Sequence, residues 1–308
     1  SVTISGGTIG GMDAADKNKT GSYNSGGGIY IGNGCSLTMK DNAKVTGNES
    51  STSGGGIHAE NGSTLVIEHC SVTANTASGS GGGIHAGGAL TADSCAITDN
   101  KTTGDSGGGT YVSGTAEIKG STTIAHNEAD VSGGGIYMGS GSLHIKNSTI
   151  GGEQDYEGTD LTKTKGNKAK SGGGIFVSNG TLNMEDSTLS FNKTNGGSND
   201  GGGGIAASNG TFTIKGCTFK NNDSGSGAVG GIKADNITLT MTDCTLTNNN
   251  AGGGGGGILT SGSSSLTMET CTLTHNEANF NGGGGVGGQD RNKDLARNGG
   301  GGGVSDVV

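Results

Sequence analysis

The stretch GGGIHAENGSTLVIEHCSVTAN, residues 54–75, decides the fold. It opens on the triplet Gly54-Gly55-Gly56 and holds short runs in which apolar and polar residues alternate: Ile57-His58-Ala59, Leu65-Val66-Ile67 and Ser71-Val72-Thr73. Alternation with period two is the signature of strands, and the Gly, Asn and Ser between the runs are turn formers. The stretch closes on Asn75, and GGGIHAGGALTADSCAITDN at residues 81–100 repeats it almost column for column.

Working outward, the glycine triplet recurs as GGGI at Ile29, Ile57, Ile84, Ile136, Ile175, Ile205 and Ile258, as GGGT at Thr110 and as GGGV at Val286. Gly230-Gly231 leads into Ile232 with one glycine fewer. Successive spacings are 28, 27, 26, 26, 39, 30, 27, 26 and 28 residues, a period of about 27 with one long insertion. A second run carries apolar pairs two apart, such as Leu37/Met39, Leu143/Ile145, Leu182/Met184 and Phe212/Ile214. A third centres on Val45, Val72, Ile97, Ile124, Ile150, Leu189, Phe219, Leu246 and Leu273. One coil of this size buries nothing alone, whereas stacked coils share one continuous core. The pattern predicts an all-β, right-handed parallel β-helix of about ten coils. Each coil has about 27 residues and three short strands. The hand follows from the preference of parallel crossovers. At the parallel-strand spacing, ten coils make a rod of roughly 50 Å.

Bulk composition points elsewhere. With 70 Gly, no Pro, no Trp, 28 % hydrophobic residues and a net charge of −9, the chain reads as low-complexity and disordered. The fixed apolar columns overrule that reading. The repeat domain spans residues 1–286, with insertions near 10–20 and 151–166, and a Gly-rich cap or linker follows at 287–308. No apolar run approaches 18 residues, so no transmembrane helix is expected. The acidic balance, with Arg291 and Arg297 as the only arginines, argues against nucleic acid. Six cysteines without C-x-x-C spacing give no zinc site of the usual kind, and no cofactor is expected. The chain starts at Ser1 inside the pattern, as a segment of a larger protein or a processed form would.

The pairing of GGGI with a second motif ending in Asn resembles the chlamydial polymorphic membrane proteins, whose β-helical passenger regions repeat GGA[ILV] and FxxN. Here the second motif reads Val45 to Asn48, Val72 to Asn75, Ile97 to Asn100, Ile124 to Asn127, Leu189 to Asn192, Phe219 to Asn222, Leu246 to Asn249 and Leu273 to Asn276. Gly replaces the motif's Ala, and Phe stands first only at Phe219. The resemblance covers about residues 26–286 and implies a β-helical surface protein of the autotransporter-adhesin kind.

Four columns and two insertions carry the candidate chemistry. Asn48, Asn75, Asn100, Asn127, Asn192, Asn222, Asn249 and Asn276 share one register, with Asn167 restoring it after the insertion. Stacked amides can bond one another, so this column reads as a structural ladder. Cys70, Cys95, Cys217, Cys244 and Cys271 share another register, filled elsewhere by Thr122, Ser148 and Ser187, and read as small, buried, free thiols. The residue after each glycine motif points outward and reads Tyr30, His58, His85, Tyr111, Tyr137 and Phe176, then Ala206, Lys233 and Leu259. Six ring-bearing residues in a row make either a cross-strand stack or a platform for a host or environmental glycan or a protein partner. His58 and His85 adjoin, but no third ligand shares their register. The glycine triplets, among them Gly55, Gly82 and Gly134, predict a face bare of side chains for lateral self-association, beside end-to-end stacking. The insertion acids Glu153, Asp155, Glu157 and Asp160 lack the spacing of a calcium loop.

Catalysis on a β-helix needs acids that converge from neighbouring coils. The register before the third strand (Asp41, His69, Ser94, Gly120, Asn147, Asp186, Gly216, Asp243, Thr270) never supplies two acids in succession. The outer charged column (Lys40, Glu68, Asp93, Lys119, Lys146, Glu185, Lys215, Glu269) mixes signs, as cross-strand ion pairs would. The reading is therefore a non-catalytic structural or adhesive rod at a cell surface or in an extracellular fibre. A glycan-binding module and a polysaccharide lyase or hydrolase are the alternatives.

Overall fold

In each run, residues two apart point the same way, so successive coils can superpose their apolar residues only by pairing in parallel and in register. The computed structural model, which describes residues 1–13, 15–153, 166–197, 201–279 and 283–289, shows this arrangement. Ile29, Ile57, Ile84, Thr110, Ile136, Ile175, Ile205, Ile232, Ile258 and Val286 form one column of parallel pairs, about nine turns of a right-handed solenoid. The apolar columns of all three runs merge into one core, in which Leu65, Ile67, Ile97, Ile124, Phe212 and Phe219 are fully buried. Val66 at the intervening position is half-buried on the outside, as its parity requires.

The three runs do not each own a face. First and second runs lie in one 18-stranded sheet, and they fuse into single 11-residue strands at Ile205–Lys215 and Ile232–Thr242. The third run forms a 10-stranded sheet, and short strands after the ladder Asn, such as Thr76–Ala77, supply the remaining wall. The reason lies in where the chain turns. Between the first two runs Ser63 N–H closes a tight turn on the Glu60 carbonyl (3.1 Å), which jogs the chain without leaving the sheet. The sharp corners fall at left-handed residues. One such column is Asp41, His69, Ser94, Gly120, Asn147, Asp186, Gly216, Asp243 and Thr270, with φ from 47° to 65°. That column therefore bends the chain, which explains its Asp, Asn and Gly: short polar side chains and glycine tolerate this region best. A second corner precedes most ladder Asn residues, at Gly47, Ala74, Asp99, His126, Phe191, Asn221, Asn248 and His275, and a third uses the first glycine of most triplets, such as Gly54, Gly81 and Gly133.

Candidate functional site

The Asn ladder is the most regular feature. Each amide donates one N–H to the next rung's Oδ1, at 2.9 Å for Asn48 to Asn75 and 3.0 Å for Asn75 to Asn100, Asn100 to Asn127, Asn127 to Asn167, Asn167 to Asn192 and Asn192 to Asn222. The series continues through Asn222 and Asn249 to Asn276. The other Nδ2 hydrogen reaches a carbonyl of the preceding coil, as from Asn127 to Ile97 (2.8 Å). The Oδ1 also accepts the preceding rung's backbone N–H, as from Asn100 (3.0 Å). Both donors and both acceptor positions of each interior amide are thus used, which is what burial of an amide requires. Asn167 restores the register, as its position predicts. Asn18 is a rung that the sequence reading missed: its Nδ2 bonds Asn48 Oδ1 at 2.8 Å. The signal for it is that Asn18 lies late in the 10–20 insertion, as Asn167 directly follows the 151–166 insertion, and both insertions follow an Ile of the third-run register.

The third glycine of most triplets packs on this ladder. A Cβ at Gly56 would stand 2.8 Å from the Gly83 carbonyl oxygen and 2.9 Å from Asn75 Nδ2, and Gly83, Gly109, Gly135 and Gly174 repeat the geometry. Gly54, Gly55 and Gly56 are buried, as are Gly81 to Gly83 and Gly133 to Gly135. Among the described residues these triplets therefore form no bare glycine face. The space that the missing side chains leave is filled by the next coil's carbonyls and the ladder amides of the same chain.

In the cysteine column, Cys70, Cys95, Cys217 and Cys244 are buried and Cys271 is half-buried, all as free thiols, while Cys35 lies apart and exposed. The column also bonds. Cys70, Cys95 and Cys244 Sγ donate to the carbonyl two residues back at 3.1, 3.2 and 3.2 Å, as Ser148 and Ser187 Oγ do at 2.8 and 2.7 Å. The neighbouring rung's N–H reaches the same atom, from Cys70 to Cys95 Sγ and from Cys95 to Thr122 Oγ1. Cys, Ser and Thr interchange here because each is a small side chain with one hydrogen to donate and a lone pair to accept. Burial drives the thiols up, to about 11 for Cys95 and Cys244 and about 12 for Cys217.

The ring stripe is one continuous stack. From Tyr30 through His58, His85, Tyr111 and Tyr137 to Phe176, successive ring centroids lie 5.4, 4.6, 4.8, 5.0 and 5.4 Å apart with interplanar angles of 2–16°. These distances follow the strand spacing, since the rings hang from in-register residues of adjacent strands. The inner rings are therefore covered on both faces, and a partner would meet ring edges and the tyrosine hydroxyls. Tyr30 is 54 % exposed, and its hydroxyl donates to Glu60, whose second oxygen accepts the Asn33 backbone N–H (2.9 Å). Tyr30 is held above its ordinary value by that bond, and Glu60 is held below its own. Burial pushes His58 down and His85 down to about 4, so both stack as neutral rings at pH 7. Beyond Phe176 the register continues through Ala206, Lys233 and Leu259, but two of these three outward positions are covered. Ala206 is buried, and Leu259 packs with Ala228 and Val229 in a small second cluster.

Opposite charges pair across coils: Lys146–Glu185 at 2.7 Å, Lys101–Glu128 at 3.1 Å and Lys193–Asp223 at 3.2 Å, while Lys119 pairs with Glu117 on its own strand at 2.8 Å. Of the insertion acids, Asp155, Glu157 and Asp160 lie outside the described residues, as does the tail from Asp290. Among the described residues no cluster of three or more His, Cys, Asp or Glu is placed to hold a metal, and no helix is long and apolar enough to cross a membrane.

These features define a parallel solenoid held by side-chain ladders. A family profile described as "Right handed beta helix region" matches residues 9–168 and 69–231, and the chain belongs to that family. No curated protein and no solved structure matches it.

Proposed function

We propose that this chain is a non-catalytic, extracellular structural or adhesive rod, a segment of a larger surface or fibre-forming protein. In this it would be akin to the passenger regions of the polymorphic membrane proteins whose motifs it resembles. The observation that carries the reading is the unbroken ladder from Asn18 to Asn276. Both insertions occur in the sequence between a third-run Ile and a ladder Asn, and the hydrogen-bonded column continues across them. Such a rod holds its surface features at fixed spacing, a property useful for display and attachment. End-to-end stacking belongs to this reading; lateral association through the glycines does not, because they are buried. Electron microscopy of the protein from its native source tests it. Fibres or surface spikes containing the chain support the rod, and discrete monomers with turnover on a polysaccharide panel would overturn it.

A second reading, glycan or protein recognition at the ring stripe, is favoured by six rings in one register in a chain with 3 % aromatic residues. Because the inner faces are stacked, a ligand here would use ring edges and the hydroxyls of Tyr111 and Tyr137. Replacing both tyrosines by Ala should change the glycan-array profile if the stripe binds sugars. An unchanged profile removes this reading.

A further inference from the structure

The stack contains two ionisable rings side by side, and the rod reading makes no use of them. His58 and His85 have centroids 4.6 Å apart and planes 16° from parallel. The Nδ1 atoms of both are buried without a hydrogen-bond partner. Tyr30 closes the pair on one side at 5.4 Å, and Tyr111 on the other at 4.8 Å. A neutral imidazole tolerates this site, because both faces rest on rings and a buried lone pair costs less than a buried charge. An imidazolium does not, since it would lie face to face with a second one in a partly dry stack.

From this geometry we infer that the ring stack is an acid-sensitive clasp, closed while His58 and His85 are neutral and opened locally between Tyr30 and Tyr111 when they take up protons.

The groups facing the pair act in both directions. Glu60, directly after the strand of His58, favours the proton on His58, and the carbonyls of His85 and Ala59 favour it on His85. Desolvation opposes both protons and is the largest influence on each ring. His58 adds its own repulsion toward His85. Tyr30 and Tyr111 are uncharged in the acid range, their hydroxyls being raised rather than lowered. On the Tyr111 side the charge of Asp105 acts on the Tyr111 hydroxyl and raises it. The sign follows from the depressed folded values. The contribution of the closed stack is complete above the unfolded histidine value of 6.5 and is lost as pH falls from there through about 4 at His85. Opening would free ring faces that are covered at neutral pH, changing what the stripe presents.

The chain has no Trp, so its near-ultraviolet dichroism reports tyrosine packing, to which the stack contributes Tyr30, Tyr111 and Tyr137. Acidification should diminish that signal with a midpoint between 6.5 and about 4, while the far-ultraviolet β signal persists. The double variant His58→Phe, His85→Phe keeps rings in the stack without ionisable nitrogens and should hold the signal through that interval. Proton NMR of the wild-type chain provides an independent reading that needs no variant: both imidazoles should titrate below 6.5, and His85 lowest. The proposal is overturned if either ring titrates at its ordinary value, or if a folded double variant loses its tyrosine signal at the same pH as wild type.

Discussion

Removing one rung of the Asn ladder should sever the rod's most continuous hydrogen-bonded element, and Asn127 is the rung to remove. It is 1 % exposed and links the coil before the long insertion to Asn167 after it. In Asn127→Ala the Asn100 backbone N–H and one Asn100 Nδ2 hydrogen lose their acceptor, both at 3.0 Å in the native chain. A buried donor left without a partner costs about 1–3 kcal/mol, so two give about 4 kcal/mol before any cavity is counted. In a solenoid that loss is local, so the coils on either side of the break should also unfold less cooperatively. Urea denaturation followed by far-ultraviolet dichroism measures both effects. Asn127→Asp separates hydrogen bonding from shape. Its carboxylate still accepts from Asn100 but sets a second oxygen against the Ile97 carbonyl and Asn167 Oδ1, where the native amide donates. Burial and those oxygens would raise its folded pKa above the unfolded value of about 3.9. The folded chain then holds that proton more tightly, so stability should recover as pH falls through the raised value, with no such recovery in Asn127→Ala. A loss below about 1 kcal/mol in the Ala variant, or no acid recovery in the Asp variant, would refute the argument that the ladder stabilises by satisfying buried donors.

Three further outcomes follow from single side chains. Thr110 stands in the core Ile column at 0 % exposure with its Oγ1 unbonded, so Thr110→Val should raise stability by about 1–2 kcal/mol in the same denaturation assay. At Gly109 a Cβ would lie 2.6 Å from the Gly135 carbonyl oxygen and 2.9 Å from Asn127 Nδ2. Gly109→Ala should therefore cost about 1–3 kcal/mol, which a lowered melting temperature would register. Because Cys217 and Cys244 are buried and driven up to about 12 and about 11, native protein at pH 8 should react with iodoacetamide at Cys35 long before those two, as peptide mapping by mass spectrometry would show.

Much of this architecture was legible because a repeat states each position many times. The period, the three runs, the inward columns and the Asn register were all readable, since a column of ten residues averages out the accidents of any one coil. What resisted reading was chemistry that several residue types can supply. Phe191, His126 and Ala74 occupy the same left-handed corner as Gly47, with φ of 56°, 58°, 55° and 66°, and no composition rule groups them. The cysteine column was legible as small and buried, but its shared hydrogen bond to the carbonyl two residues back appears only once backbone positions are known. The glycine triplets misled for a related reason. Absence of a side chain is the same signal whether the space faces solvent or is filled by a neighbouring coil, and here the neighbour fills it. Leu259 was placed outward correctly by parity, yet outward on this solenoid does not mean exposed where the Ala228-Val229 segment folds over it.

The two motifs of the repeat are best understood as two halves of one contact. The ladder Asn is the residue that the third glycine leaves room for: Gly56 faces Asn75, Gly83 faces Asn100, Gly109 faces Asn127, Gly135 faces Asn167 and Gly174 faces Asn192. Each pair brings the end of a coil against the start of that coil's own first strand, closing the coil on itself at the same point where the amide bonds the coil beyond. A side chain at the glycine would displace the amide, and loss of the amide would leave buried backbone donors unpaired. Both motifs are therefore needed wherever a coil closes, which explains why Gly and Asn recur through segments whose loops differ in length. The coil with the long insertion obeys the same constraint, for its chain returns at Asn167 to meet Gly135 before continuing. The extra residues could enter there because a corner outside the closing contact can lengthen without moving either partner.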